Sequence, residues 1–205
     1  FPGEEPESVK PPEVVAQVNA LLDGMVSVAE SADTEGLFGS DEVLLSAGGS
    51  AYYDIVANRL AETRLTRPKR VLIRSGCYIT HDSYMYVRAR AALARRDPAL
   101  AATGGLQAAL EVWAYVQSRP EREKAIVAFG KRDASHDDPP LALKWFRPGL
   151  HAEPQAVPAG HEVVRLNDQH CHLRVPADSP LRTGDMLGFG ISHPCLTFDK
   201  WRVMH

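Results

Sequence analysis

Only three cysteines, Cys77, Cys171 and Cys195, occur in 205 residues. They are too few and too scattered for a disulfide framework, so a reducing, cytoplasmic setting is expected. No apolar run approaches the roughly 18 to 20 residues that span a bilayer, and no signal-peptide pattern stands at the N-terminus, so no membrane partner is expected. Excess charge of one sign is also missing. The 23 Lys and Arg against 26 Asp and Glu give a formal net charge of -3 and a pI ≈ 6.3, which removes the electrostatic case for a nucleic-acid partner. Internal repeats, low-complexity tracts, P-loops and dinucleotide fingerprints are likewise absent.

What is present is an ordinary globular composition, 44% hydrophobic and 24% charged, in a chain long enough for a real core. The first twelve residues, rich in Pro and Glu and lacking an initial Met, read as a linker, a processed end or the start of a fragment. Val14, Val15, Val18, Leu21, Leu22, Met25 and Val26 then recur at helical spacing. The apolar run 42–46 leads through Gly48 and Gly49 into a helical stretch, 51–60. The run 70–75 repeats the theme, passing Gly76, Cys77 and Tyr78 before an Ala- and Arg-rich helix over 83–96. Two successive βα units predict parallel strands with crossover helices. After Asp97 and Pro98 the texture changes. Short β-like runs at 110–118, 124–130, 162–166, 172–175, 185–190 and 198–203, punctuated by Pro and Gly, predict an antiparallel sandwich or small barrel. The boundary falls near 97–106, giving domains of 1–100 and 101–205.

Several constellations could carry chemistry. Both βα turns, SAGGSA at 46–51 and RSGCY at 74–78, stand where free backbone N–H groups could cradle a phosphate, although βα turns need glycine for geometry alone. Alternation along 78–82 predicts Tyr78, Thr80 and Asp82 on one face, with Ile79 and His81 on the other. GKRD at 130–133 suits an ion-paired turn or a site facing an acid, and NDQH at 167–170 suits a turn or a polar site. In the apolar, β-prone run GFGISHPC, His193 and Cys195 lie two apart. An extended backbone would send both side chains from one face and make half of a zinc site with open positions. An isolated His-x-Cys is common by chance, and a free Cys is usually a small buried hydrophobe.

In order along the chain, SAGGSAYYD (46–54), RSGCYITHD (74–82), GKRD (130–133), NDQH (167–170) and GISHPC (190–195) resemble the D-serine dehydratase and D-threonine aldolase family, most closely its bacterial amino-acid deaminase branch. The resemblance covers the chain from about Glu42 onward. It implies the last βα units of a pyridoxal-phosphate-binding (β/α)₈ TIM barrel followed by a C-terminal antiparallel β domain. Gly48, Gly49, Ser50, Gly76, Cys77 and Tyr78 would then bind pyridoxal 5′-phosphate, Tyr78 beside its ring. Tyr78 and His170 would be catalytic, and His193 with Cys195 would bind Zn²⁺. The family's cofactor-bearing lysine lies upstream of anything here, and Lys10, Lys69 and Lys131 are not given that role. The aldolase branch carries a His-x-Asp pair instead, so Cys195 favours elimination of the β-hydroxyl of D-serine or a related D-3-hydroxy amino acid, giving a keto acid and ammonia. Retro-aldol cleavage, racemisation, or a non-catalytic metal-binding or dimerisation role are the alternatives. The implied partners are the D-amino acid, the missing N-terminal part of the barrel, and a second copy in a homodimer.

Overall fold

The computed structural model describes residues 11–74, 76 and 79–205. The chain divides into two compact units, Phe1–Tyr78 with Arg88–Leu106, and Ile79–Val87 with Gln107–His205.

In the first unit, α1 (Pro11–Thr34) and α2 (Tyr53–Ala61) accompany two parallel strands, β1 (Val43–Gly48) and β2 (Lys69–Arg74), in register from Val43 opposite Lys69 to Gly48 opposite Arg74. Leu22, Val26 and Ala29, at helical spacing, bury against Val43, Leu45, Val56 and Leu60. Leu21, expected in the helical stripe, is 67% exposed. Further along the same helix Asp33 and Glu30 accept from Thr66 N (2.6 Å) and Arg64 N (2.8 Å). Asp23 and Arg59 add an ion pair between α1 and α2 at 2.6 Å.

Parallel sheets are ordinarily covered on both faces. Here, among the described residues, β1 and β2 form a two-stranded sheet whose second face leaves Leu44 61% and Leu72 49% exposed. α3 (Met85–Arg96) and α4 (Pro98–Ala102) follow. Asp97 caps α4 by accepting from Leu100 N at 2.9 Å.

The second unit is one curled antiparallel sheet of seven strands: β3 (Glu111–Glu121), β4 (Lys124–Val127), β5 (Leu141–Phe146), β6 (Gln155–Ala156), β7 (Glu162–Leu166), β8 (Cys171–Arg174) and β9 (Met186–Gly190). The order is β6-β5-β9-β3-β4-β8-β7. Alternate residues Val112, Ala114 and Val116 of β3 and Leu187 and Phe189 of β9 enter one core with Val127, Phe129, Cys171 and Leu173. Close backbone approach requires glycine at 188, where an added Cβ would lie 2.7 Å from the Trp113 ring. Asp185 anchors the sheet end. It accepts from Arg147 Nε (2.7 Å), Arg147 Nη2 (2.9 Å), Trp145 Nε1 (2.9 Å) and Arg182 N (2.9 Å).

Two expectations are corrected, and two strands are added. The segment 198–203 is not a strand: α5 (Pro194–Phe198) takes its first residue, and the rest has no regular structure. Proline at the first helical position, with φ already set, starts that helix. Residues 79–82 do not alternate as a strand end. His81 adopts φ 55, and Asp82 Oδ1 accepts from Tyr84 N (2.7 Å) and Tyr86 N (2.9 Å), holding the entry to α3. Finally, β5 and β6 were not foreseen.

Candidate functional site

In the first unit the parallel register brings the C-terminal ends of β1 and β2 side by side, Gly48 beside Arg74. Gly49 takes φ +116, a conformation that L side chains rarely adopt, and a Cβ at 49 or 76 would meet nothing within 4 Å. The chain turns at once into α2, with Tyr52 N donating to Gly49 O at 2.9 Å. Tyr52 occupies the N-cap of α2, and its side chain does not cap the first turn. Arg96 stands against the same turn. It grips Asp54 through Nε–Oδ2 (3.1 Å) and Nη2–Oδ1 (2.9 Å), donates to Ala51 O (3.1 Å), and lies over the Tyr52 ring. Arg74 Nε donates to Ser46 Oγ at 2.9 Å. Open glycine backbone, a helix start without a side-chain cap and nearby guanidinium groups suit a phosphate chemically. Cys77 and Tyr78 lie outside the described residues. The Lys69 ammonium is engaged by the carbonyls of Ala61 and Thr63, which makes it a structural clamp for the end of α2.

In the second unit GKRD and NDQH, 37 positions apart in the sequence, meet. Lys131 N donates to Asn167 O (2.9 Å) and Arg132 N to Asp168 O (3.0 Å). Asp133 folds its carboxylate back onto Gly130 N at 2.8 Å. NDQH is the turn of the β7–β8 hairpin, closed by Asn167 N to His170 O at 2.8 Å, with the His170 side chain exposed. Beside it, burial first, then the charges of Lys124, Arg165 and His170, push the His172 imidazole below its usual value. A neutral ring suits the 3.2 Å contact between its Nε2 and Asn167 Nδ2.

The His193 and Cys195 backbone is not the continuous strand expected. His193 is extended (φ -128, ψ 99) as the N-cap of α5, and Cys195 lies in its first turn. Both residues are exposed, while Pro194 and Thr197 are buried. His193 Nδ1 lies 2.8 Å from Asp137 Oδ2. Behind this pair is a hydroxyl cluster. Ser135 Oγ accepts from His193 N (2.9 Å) and contacts Ser192 Oγ (3.1 Å), while Ser135 N donates to Thr197 Oγ1 (3.0 Å). Among the described residues no three His, Cys, Asp or Glu side chains gather as a metal cluster, so the donor set is the pair itself. By donor type alone, an imidazole whose Nδ1 is held by a carboxylate and an exposed thiol are ligands that zinc accepts. The other described cysteine differs. Cys171 is buried, and burial pushes its thiol up to about 12.

Sequence reading missed Asp137, Ser135, Ser192 and Thr197. The polar run SHDD at 135–138 was the only visible sign.

Residues 109–205 match the family model of the putative serine dehydratase domain, a segment that contains GKRD, NDQH and GISHPC. The fold is similar to that of D-threonine aldolase from Filomicrobium marinum, at 22% identity and a TM-score of 0.51 over 77% of this chain. The chain spans 35% of that protein's length. No curated protein matches.

Proposed function

We propose that this chain is the C-terminal portion of a pyridoxal-phosphate- and zinc-dependent D-amino-acid dehydratase acting on D-serine or a related D-3-hydroxy amino acid. The observation that supports the reading is that His193 and Cys195 are both exposed, with the imidazole tied to Asp137, inside the segment that matches the serine dehydratase domain. On this reading β1 and β2 are the last strands of a (β/α)₈ barrel. The exposed second face of the parallel pair supports that, because it needs further strands to cover it. The missing N-terminal part of the barrel supplies them, and the whole protein acts as a cytoplasmic homodimer.

Pyridoxal phosphate, when bound, supplies an electron sink for the charge left at Cα on proton removal. The N–H groups around Gly48, Gly49, Ser50 and Gly76 would hold its phosphate, and the family resemblance assigns Cys77 to the same phosphate and Tyr78 to the ring. Zinc on His193 and Cys195 would supply Lewis acidity toward a β-hydroxyl leaving group. The thiolate makes the pair softer than an imidazole and carboxylate, which favours zinc over harder cations and so supports elimination over aldol cleavage. His170, exposed on the hairpin turn, would serve as a proton-transfer group.

The test is a pair of variants in the full-length protein. Cys195→Ala should abolish zinc binding and elimination while cofactor affinity is kept. Gly76→Val should weaken cofactor binding while zinc stays. Loss of both groups in either variant, or of neither, would refute the assignment.

A further inference from the structure

The proposed zinc pair accounts for two side chains, but His193 has a second ring nitrogen and that nitrogen is committed. We propose that Asp137 is the positioning residue for His193, fixing the imidazole as the Nδ1–H tautomer so that Nε2 is presented to the metal. The buried hydroxyls of Ser135, Ser192 and Thr197 hold the two loops in register for that contact. This rests on the reading of His193 as a metal ligand and deepens it.

The chemistry follows from the atoms. An ionised carboxylate only accepts, so at 2.8 Å from Asp137 Oδ2 the Nδ1 of a neutral imidazole must carry the proton. Nε2 is then the lone-pair nitrogen, the form a metal requires. The two residues are 56 positions apart, and the side chains are about half exposed, 45% for His193 and 53% for Asp137. An exposed pair alone would exchange freely with water. What makes this one a fixed geometry is the backbone beneath it. Ser135 is completely buried and Thr197 is 1% exposed. Ser135 Oγ accepts from His193 N, Ser135 N donates to Thr197 Oγ1, and Ser192 Oγ accepts from Asp138 N at 3.3 Å. Contacts on both sides of Asp137 in one loop thus join contacts on both sides of His193 in the other. A buried hydroxyl without a partner is costly, so the register of the two loops is strongly specified.

The experiment uses the full-length protein and Asp137→Ala, Asp137→Glu and Ser135→Ala variants. The first readout needs no metal. With ¹⁵N-labelled histidine, the neutral wild-type His193 ring should show a protonated Nδ1 and a bare Nε2. Asp137→Ala should move it toward the Nε2–H form. The second is Co²⁺ affinity, read from the ligand-field and thiolate-to-metal absorption bands. Asp137→Ala should weaken it about 10- to 100-fold, Ser135→Ala should weaken it in the same direction, and Asp137→Glu should restore part of the loss. Unchanged tautomer and unchanged affinity in Asp137→Ala, with the wild type binding Co²⁺, would overturn the positioning role and leave the metal reading standing. Failure of the wild type to bind Co²⁺ or Zn²⁺ would overturn both.

Discussion

Replacing Gly130 by Ala should be far more damaging than the addition of one methyl group suggests. The new Cβ would stand 2.3 Å from Asn167 O and 2.6 Å from Asp168 C and O, about 1 Å short of ordinary contact. Those atoms are backbone, and both carbonyls already accept, from Lys131 N and Arg132 N. The hairpin turn cannot retreat without losing these bonds. Overpacking costs about 1 to 3 kcal/mol and two hydrogen bonds about 1 kcal/mol each. Alanine narrows the unfolded ensemble, which returns about 0.4 to 1 kcal/mol. The net loss is about 2 to 5 kcal/mol. Trp113, Trp145 and Trp201, the three tryptophans of this sequence, all lie in the second unit, so their fluorescence in a urea titration reports on it. A lower midpoint at unchanged slope is expected. A loss below about 0.5 kcal/mol would show that the two loops do not depend on this close approach.

Asp185→Ala, which strips the partner from a largely buried Arg147, should cost about 3 to 5 kcal/mol of second-unit stability in the same titration. Burial pushes the Asp185 carboxyl up, but hydrogen bonds from Arg147, Arg182 N and Trp145, with the Arg147 charge, bring it below its usual value. Its contribution is therefore complete above the unfolded value of about 3.9 and fades as pH falls through the folded one. Asp185→Asn should flatten the acid limb of stability against pH. A limb as steep as the wild type's would count against this. Brief iodoacetamide treatment of the native protein should label Cys195 and spare Cys171, read by peptide mass, with equal labelling refuting the burial-based difference. Gly49→Val, forced into φ +116, should lower pyridoxal phosphate affinity at least tenfold. Unchanged affinity would remove the turn from the phosphate site.

The parts of the fold set by local pattern were legible in the sequence. β1 and β2 are short apolar runs followed by glycine turns, and β3, β4, β7, β8 and β9 show alternation between turn residues. β5 was not, because LALKWF at 141–146 is a short run between prolines with neither strict alternation nor a glycine turn to mark it. Pro194 could have been read as a helix start, but the β-prone residues before it suggested a continuing strand. At the candidate site, His193 and Cys195 were visible as a motif because their relation is local. Asp137, 56 residues away, was not. The meeting of GKRD with NDQH, and of Ser135 with Ser192 and Thr197, likewise depends on which strands neighbour each other in the curled sheet, and no periodicity records that. His81 at φ 55 shows the same limit, since the fold imposes a backbone that its residue type does not announce.

The most direct test of the proposed chemistry is the product that the full-length protein, loaded with pyridoxal phosphate and zinc, forms from D-serine. Pyruvate and ammonia in equal amounts, lost on chelation and in Cys195→Ala, are predicted. Glycine and an aldehyde, or pyruvate formation indifferent to chelation and to Cys195→Ala, would contradict zinc-assisted elimination.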